Sequence, residues 1–442
     1  MKNKRKLVGI LLFITIIVSS PLLSICHDNK NYFIEDNYEI CLSPGENETM
    51  LNFSWYSNES NDSQIKIINK SKKEKIYKGS SKKIKDNLYS NKVTVTDLKD
   101  NTTYYYSYKF NGVWSKLVEF KTKDSNEFSF VFMGDPQIGS SSKKMNSVQE
   151  GINKDALNWN KVINKALERD NHLSFIVCGG DETNTKEYNS RNREISNLEY
   201  GGFLSPKHLR YIPVASAIGN HDEDNENFYN HFHLPNSSSL GRTTAGGDYY
   251  FNYGNCMFLF LNTNNLDINE HEKFIENVIK KNKNIKWKIV VFHHDIYGDG
   301  VHSNDKDVEF LRNELPKVLE KNKIDLVLCG HDHIYSRTYT LKNNKKTREV
   351  LIEGKNRFNE NIETLNNPKG RIYITGNSST GSKFYDKTNK KQDYVKFKYD
   401  KERPAFTIIN VSKNKIIICT YKVDNGKRID NKIIVNKNKY YK

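Results

Sequence analysis

The chain has 442 residues, enough for two or three domains with a sizeable core. Its 69 Lys and Arg residues against 53 Asp and Glu residues leave a formal charge of +16. The lysines are scattered among Asn and Ile, without a dense basic helix or an arginine cluster. This distribution argues against a specific nucleic-acid partner and favours a solvated surface that attracts anions or an anionic envelope.

Residues 1–25 have the pattern of a signal peptide or membrane anchor. Four of the first six residues are basic, and they precede the apolar run Leu7–Val18. The run is short for a permanent membrane span, so an uncleaved anchor is the alternative to a cleaved signal. Leu23–Cys26 resembles a lipoprotein cleavage box, except that Ile25 stands where a small residue is expected. We therefore expect a secreted or extracytoplasmic protein, with membrane or cell-envelope attachment through the N-terminus as the alternative.

Residues 32–123 are predicted to form a small all-β domain. Strand-like runs such as Met50–Tyr56 and Tyr104–Tyr108 are separated by polar turns and show no helical period. Such a pattern is typical of a β-sandwich. The segment contains no histidine, so it offers no obvious chemistry.

Residues 127–422 alternate strand-like runs with helical patterns, which indicates a layered α/β domain. Ser147 is expected to cap the first helix, and a second helix follows Asn269. A third is predicted within Asp305–Lys321, where Pro316 would kink it.

Two polar stretches carry no predicted element. Lys342–Lys369 is rich in charged residues and is expected to be a loop or an excursion from the domain. Residues 423–442 are rich in Lys and Asn and are expected to form a basic C-terminal tail beyond the domain.

Five apolar runs of the second domain lead into residue types that bind metal ions. They are followed, in chain order, by Asp135, Asp181, Asn220, the pair His293 and His294, and the pair His331 and His333. In open α/β sheets the functional site lies at the carboxyl ends of the strands. The five ordered clusters therefore predict one pocket, whereas a single Gly-Asp pair would predict nothing.

The donor types in these clusters suit two neighbouring divalent cations. Two such ions roughly 3.5–4 Å apart can clamp a phosphoryl group and make a bound water nucleophilic near neutral pH. Carboxylate, amide and imidazole donors suit Mn, Fe or Zn, and no cysteine pair has metal-binding spacing. We expect Asp135 and His333 at the first ion, Asn220, His293 and His331 at the second, and Asp181 as the bridge between them.

His221 directly follows Asn220 and is better placed to face a substrate than a metal ion. It could stabilise the phosphoryl group or protonate the leaving oxygen, which makes it a catalytic candidate. Asp222 could orient its ring.

The ordered set of motifs resembles the calcineurin-type metallophosphoesterases. Within that family, Gly330–Tyr339 resembles the purple acid phosphatase branch, and Phe53–Tyr56 and Asn101–Tyr106 resemble its N-terminal fibronectin type III-like domain. The resemblance covers roughly residues 38–422. It implies an αββα sandwich with a dinuclear site between the sheets, preceded by the all-β sandwich. It also implies hydrolysis of phosphomonoesters by a metal-bound hydroxide.

Two positions depart from the family pattern. Asn184 stands where the purple enzymes have a tyrosine that binds ferric iron, so we expect no purple chromophore and favour two divalent ions over an iron(III)–zinc pair. Gln137 stands where other branches have a histidine. Because a Gln oxygen can coordinate a hard ion, we assign Gln137 as a ligand of the first metal, with a turn-capping role as the alternative.

Two histidine assignments also rest on the resemblance. The family places a metal ligand at the first residue of the His293–His294 pair, which favours His293 and leaves His294 as the alternative. His302 stands where purple acid phosphatases carry a substrate-binding histidine.

The sequence therefore predicts an extracytoplasmic phosphomonoesterase that acts on small-molecule phosphate esters. A phosphodiesterase or nucleotidase of the same fold is the nearest alternative, and a non-catalytic surface binding protein is the alternative from a different class. Retention of nearly the whole ligand set favours an enzyme.

Overall fold

The computed structural model describes residues 40–186, 189–347, 352–356, 359–390 and 392–438. The predicted signal or anchor, residues 1–25, lies outside the described residues, as do the first residues of the predicted all-β domain. Within the described ranges, no helix has the length and apolar character needed to cross a membrane.

The N-terminal domain is all-β, as predicted. From residue 40 onward, its described strands are β1 (Cys41–Pro44), β2 (Leu51–Ser57), β3 (Gln64–Asn69), β4 (Glu74–Lys78), β5 (Ser80–Lys85), β6 (Leu88–Val95), β7 (Thr103–Phe110), β8 (Val113–Trp114) and β9 (Val118–Lys121). One sheet has the order β1-β2-β6-β5, and the other has the order β4-β3-β7-β8 with β9 paired to β7. The alternating side chains Phe53, Trp55, Tyr104, Tyr106 and Tyr108 are buried, so the two strands β2 and β7 supply much of one apolar core.

The second domain contains two larger sheets. Its strands are β10 (Phe128–Met133), β11 (Leu173–Cys178), β12 (Val214–Ser216), β13 (Tyr249–Tyr253), β14 (Cys256–Leu261), β15 (Trp287–Phe292), β16 (Leu326–Cys329), β17 (Tyr335–Thr338), β18 (Leu341–Lys342), β19 (Lys345–Lys346), β20 (Ile352–Lys355), β21 (Asn361–Asn366), β22 (Ile372–Thr375), β23 (Val395–Tyr399), β24 (Ala405–Val411), β25 (Lys415–Lys422) and β26 (Lys432–Asn436). The first sheet has the order β12-β11-β10-β24-β25-β26-β21-β20, and the second has the order β13-β14-β15-β16-β22-β17-β23. β18 and β19 form a separate hairpin.

Helices cover the outer faces of both sheets. The α-helices are α1 (Val148–Arg169), α2 (Ser190–Leu204), α3 (Asn227–His231), α4 (Ile268–Lys281) and α5 (Lys306–Lys321). α1 lies against the first sheet at β24, while α4 and α5 bury Phe274 and Leu311 with residues of the second sheet in one apolar cluster. The αββα sandwich expected from the sequence is therefore confirmed.

The predicted helices α1, α4 and α5 are present, and Ser147 caps α1 by accepting a hydrogen bond from the backbone N–H of Glu150. Pro316 lies inside α5, which continues through it to Lys321. α2 was not predicted, because its first turns carry polar residues and its buried apolar residues, Tyr200 and Phe203 among them, gather at its C-terminal end.

The predicted loop and tail are both wrong in part. Asn361–Asn366 forms β21 within Lys342–Lys369, and Lys432–Asn436 forms β26 within residues 423–442. β26 pairs with β25 and with β21, so the sheet extends past the expected boundary at 422. In the sequence, the many Lys and Asn residues obscure a short alternation of buried and partly exposed positions, of which Ile433 and Val435 are the buried ones.

Candidate metal centre

Loops at the carboxyl ends of five strands bring the predicted site residues together. β10, β11 and β12 are parallel neighbours in the first sheet, and β15 and β16 are parallel neighbours in the second. The following loops carry Asp135 and Gln137, then Asp181, Asn220 with His221, His293, and His331 with His333. The two sheets meet here: the backbone N–H of His331 donates to both carboxylate oxygens of Asp135, at 2.9 and 3.0 Å, although these residues are 196 positions apart.

His293 lies between the carboxylates of Asp135 and Asp181. Its Nδ1 is 3.6 Å from Asp135 Oδ1, and its Nε2 is 3.4 Å from Asp181 Oδ1. One ligand atom from each of the three residues lies within 4.8 Å of the others. Since Nδ1 donates to the Gly179 carbonyl at 2.9 Å, Nε2 keeps its lone pair and can bind a cation.

Two acceptor atoms beside these carboxylates are buried without a donor. Gln137 Nε2 donates to Asp181 Oδ2 at 3.2 Å, while its Oε1 has no hydrogen-bond partner among the described residues. His333 Nε2, 3.8 Å from Asp135 Oδ1, is also buried and unpartnered within that part of the chain. Burying an acceptor without a partner costs free energy, and a bound cation removes that cost. Gln137, His333 and the two carboxylates therefore fit a first divalent cation.

A second group of acceptors meets on the other side of Asp181. Asn220 Oδ1 is 2.9 Å from His293 Nε2 and 3.1 Å from His331 Nδ1. The two ring nitrogens are themselves 3.1 Å apart. One amide oxygen and two imidazole nitrogens at this spacing fit a second divalent cation of the Mn, Fe or Zn type.

Four of the gathered residues have left-handed backbone conformations that non-glycine residues rarely adopt. The φ angles are 40° at Gln137, 53° at Asp181, 78° at His331 and 54° at His333. Each such residue costs about 1–3 kcal/mol and persists only where the surroundings force it. Their concentration here indicates a functional site.

Glycines next to the ligands allow the loops to approach closely. A Cβ on Gly219 would lie 2.1 Å from Asp181 Oδ1, and a Cβ on Gly330 would lie 2.7 Å from the Gly179 carbonyl and 2.9 Å from Asp135 Oδ2. Any larger residue at these two positions would push the carboxylates out of place.

Burial and mutual charge set the protonation of the site. Burial raises the pKa of Asp135 well above its usual range, and the charge of Asp181 raises it further. Burial acts in the same direction on Asp181, but the nearby His293 and His221 outweigh it and lower the pKa of Asp181 to about 2. Burial lowers the pKa of His333 to about 3, so this imidazole is neutral and able to bind a metal ion near pH 7.

His221 faces the cavity next to this centre, with Nε2 3.9 Å from Asp181 Oδ2. Its Nδ1 pairs with the backbone carbonyl of Asn184, the residue at the position of the expected tyrosine. The predicted orienting contact from Asp222 is wrong. The Asp222 carboxylate accepts from the Tyr200 hydroxyl at 2.7 Å and from the backbone N–H of Gly219 at 3.0 Å, so it holds the loops and not the His221 ring.

His293 and His294 lie in different places in the structure. His293 points into the metal centre, whereas His294 Nδ1 lies 2.8 Å from Thr263 Oγ1 and its ring lines the cavity. His302 also lines the cavity, with its ring centroid 5.2 Å from that of His331 and its Nδ1 2.9 Å from Asp305 Oδ2. The structure thus places both rings at the cavity and outside the group formed by Asp135, Asp181 and His293.

The cavity over the centre has a volume of about 340 Å³ and a mostly polar lining. Two residues that the sequence did not single out contact His333 beside this cavity. The Tyr385 ring packs 4.5 Å from the rings of both His333 and His302, and the Lys383 carbonyl accepts from His333 Nδ1 at 2.8 Å. Their sequence signal is the Gly- and Ser-rich stretch Gly376–Ser382 just before them.

Comparisons with known families match both domains. A model of the calcineurin-like phosphoesterases matches residues 128–335, and a model of the purple acid phosphatase N-terminal domain matches residues 38–122. Purple acid phosphatase 4 of Arabidopsis thaliana is 52% identical over 48 residues, which are 11% of this chain and 13% of that protein. Purple acid phosphatase 17 of the same plant is 42% identical over 53 residues, or 12% and 15% of the two chains.

Solved structures share the architecture at low sequence identity. Purple acid phosphatase PPD1 from yellow lupin (Lupinus luteus) seeds superposes with a TM-score of 0.71 at 17% identity, over 91% of this chain and 74% of that one. PhoD superposes with a TM-score of 0.55 at 10% identity, over 89% and 91% of the two chains. These likenesses establish the fold, while the plant relatives share only 13–15% of their length with the matched stretches of this chain.

Proposed function

The chain carries a calcineurin-like phosphoesterase domain behind a purple acid phosphatase N-terminal domain, and from this premise we propose that it hydrolyses small-molecule phosphoric monoesters with two divalent metal ions. The observation that carries the proposal is the meeting of two sets of acceptor atoms, one buried and one partly buried, on either side of Asp181. The first ion would be held by Asp135, Gln137, His333 and Asp181, and the second by Asn220, His293, His331 and Asp181.

When bound, two divalent ions offset charge on phosphoryl oxygens and acidify water. The protein's own groups fix where this happens. The hydrogen bond from His293 Nδ1 to the Gly179 carbonyl orients one ring, and the bond from His333 Nδ1 to the Lys383 carbonyl orients another. Each bond leaves Nε2 aimed at the carboxylates, which pre-organises the donor set before substrate arrives.

His221 is the proposed proton carrier for the leaving oxygen. Because Nδ1 is engaged by the Asn184 carbonyl, Nε2 is the atom that gains or loses a proton, and it faces the cavity. Burial lowers the pKa of His221, so its imidazolium is a stronger acid toward a departing alkoxide but is populated only at acidic pH. His302 and His294 line the cavity, and there they would contact the phosphoryl group or the leaving group.

We place the protein outside the cytoplasm, secreted or attached to the envelope. The support is the basic segment followed by the apolar run Leu7–Val18. Fractionation of cells that produce the full chain, with N-terminal sequencing of the product, tests this: a full-length product in the cytosol would refute it.

Elemental analysis and ester assays on one preparation test the proposed function. We expect two Mn, Fe or Zn ions per chain and hydrolysis of p-nitrophenyl phosphate above that of its diester. Asp181→Ala should bind fewer metal ions and lose at least about 100-fold in activity, beyond the loss typical of a residue that only supports a ligand. Asp170→Asn, which alters a carboxylate at the C-terminal end of α1, is the matched control.

Two results would contradict the proposal. Full activity in Asp181→Ala would rule out a shared ligand at that position. A metal-loaded wild-type protein that hydrolyses no ester would favour a surface binding protein on this scaffold, and a preference for the diester would favour the phosphodiesterase alternative.

A further inference from the structure

Residues 376–385, here called the cover segment, run from the end of β22 across the metal centre. Two hydrogen bonds fix the segment to the loop after β10. The backbone N–H of Ser379 donates to the Asp135 carbonyl at 3.3 Å, and the Thr380 hydroxyl donates to the Pro136 carbonyl at 2.7 Å. On the other side His333 holds the Lys383 carbonyl at 2.8 Å. The cover segment is thus bonded to the loops of two ligand residues, Asp135 and His333.

This anchoring places the Lys383 side chain at the metal centre. Its Nζ lies 4.8 Å from the centroid of the Tyr385 ring, which in turn lies 4.5 Å from the His333 ring. The carboxylates that act most strongly on the ammonium are those of Asp181 and Asp135. Among the described residues, no carboxylate lies within ion-pair distance of Nζ, so none of them neutralises the charge of the ammonium by a salt bridge.

We propose that Lys383 binds a non-bridging oxygen of the phosphoryl group and thereby makes the site selective for monoesters over diesters. This inference rests on the proposed function, because it assigns a specificity role within the same site. Lys383 is partly buried and belongs to a cover segment that also accepts a hydrogen bond from a ligand histidine, so its ammonium lies close to the metal centre.

The charge of the substrate explains why a monoester gains more from this contact. A phosphate monoester carries a charge of about −1.5 to −2 near pH 7 and has three non-bridging oxygens. A diester carries one negative charge and has two such oxygens. A diester that has engaged two divalent ions has little negative charge left to attract a third cation. A monoester bound in the same way retains more negative charge for that contact.

Lys383→Met tests the inference, since it keeps the length of the side chain and removes its charge. For the metal-loaded protein, kcat/KM for p-nitrophenyl phosphate should fall about 10- to 100-fold, the range for loss of one charged hydrogen bond, while kcat/KM for bis-p-nitrophenyl phosphate changes little. The dissociation constant of inorganic phosphate, measured by calorimetry, should rise by a similar factor. Lys383→Arg should retain most of the monoester preference.

Lys387→Met is the matched control, because Lys387 lies four residues further along and its ammonium points toward Asp400 at 3.9 Å. Elemental analysis must show the same metal content in all variants. An unchanged monoester-to-diester ratio and unchanged phosphate affinity in Lys383→Met would overturn the inference while leaving the proposed function in place. If the wild type hydrolysed neither ester, the proposed function itself would fail.

Discussion

Gln137 is the residue that tells most directly whether a first cation binds as proposed. Its Oε1 is buried without a partner among the described residues, and its Nε2 donates to Asp181 Oδ2. Gln137→Leu keeps the volume and removes the oxygen, so we expect the first metal to dissociate about 10- to 100-fold more readily during dialysis. Gln137→His, which supplies a nitrogen donor, should retain the metal. Elemental analysis after dialysis against a chelator measures both, and two retained ions in Gln137→Leu would contradict the assignment.

Asn184 leads to a prediction about colour. The residue at this position meets His221 through its backbone carbonyl, and no tyrosine stands there to bind ferric iron. We therefore expect the iron-loaded, oxidised protein to lack the visible charge-transfer band of a tyrosinate complex. An absorption spectrum checks this. A visible band that disappears in Tyr385→Phe would contradict the prediction and show that Tyr385, packed on His333, replaces the missing tyrosine.

At the residue scale, the sequence was informative where a ligand follows its strand directly. Asp135, Asp181 and His331 each come within three residues of a buried strand end, so the strand fixes their location. It was uninformative where a partner comes from elsewhere in the chain. Asp222 pairs with Tyr200 of α2, and Lys383 reaches the centre through the cover segment; neither long-range contact leaves a local pattern.

At the scale of elements, α4 is tied by a buried ion pair to Asp248, the residue just before β13, and by a hydrogen bond to the loop after β14. His271 of α4 has its Nδ1 2.7 Å from Asp248 Oδ2 and its Nε2 2.8 Å from the Asn265 carbonyl. Both partners are acceptors, so both ring nitrogens must carry protons and the ring is an imidazolium. Asp248 also accepts from the backbone N–H of Asn262, which lies one residue before the cavity residue Thr263.

The stability of this pair should depend on pH. Burial alone would lower the pKa of His271, but the hydrogen bond and charge of Asp248 outweigh it and raise that pKa. A histidine with a raised folded-state pKa stabilises the fold fully below about pH 6.5 and loses that contribution as pH rises through the folded value. Burial also raises the pKa of Asp248, and a raised carboxyl pKa likewise makes the fold less stable as pH rises.

We therefore expect the difference in melting temperature between wild type and His271→Gln to be largest near pH 6 and to shrink toward pH 9. Thermal unfolding of the metal-free proteins across this range measures it. His172→Gln is the control, because His172 lies on the surface beyond α1 and should give no such trend. A difference that stays constant with pH would show that the ring is not charged.

Elements whose sequence shows a strong hydrophobic pattern were predictable. Elements that depend on pairing with neighbouring strands were not. α1 and α4 each show a buried apolar stripe, and β10 and β15 are continuous apolar runs. By contrast β26 is five residues long and is stabilised by pairing with β21 and β25 on both sides. A strand of that kind is recognisable only when the sheet around it is known.

At the scale of the whole molecule, side chains of the N-terminal domain donate four hydrogen bonds to one stretch of backbone in the second domain. Both domains belong to one compact unit of the chain. Side chains of β2 and β6 donate to four carbonyls between residues 229 and 233: Lys92 to Tyr229 at 2.6 Å, Ser90 to Asn230 at 2.7 Å, Ser54 to His231 at 2.5 Å and Asn52 to His233 at 2.9 Å. The N-terminal domain is therefore part of the support for the catalytic loops.

A continuous set of contacts leads from this interface to the metal centre. The Tyr56 ring packs 4.7 Å from the His231 ring, which stacks 4.9 Å from the Tyr200 ring. The Tyr200 hydroxyl then donates to Asp222, whose carboxylate holds the backbone N–H of Gly219. Displacement of His231 should therefore disturb the loop that carries Asn220 and His221.

Ser54→Ala with Ser90→Ala tests this coupling. The double variant leaves the carbonyls of His231 and Asn230 without these buried donors, at about 1–3 kcal/mol each, so the melting temperature should fall by several degrees. Because the displaced stretch supports the loop after β12, kcat should fall as well. Ser63→Ala, an exposed position in the same domain, is the matched control and should change neither quantity. If the double variant lost stability only in a separate, earlier transition and kept full kcat, the N-terminal domain would be an independent appendage and the coupling would be absent.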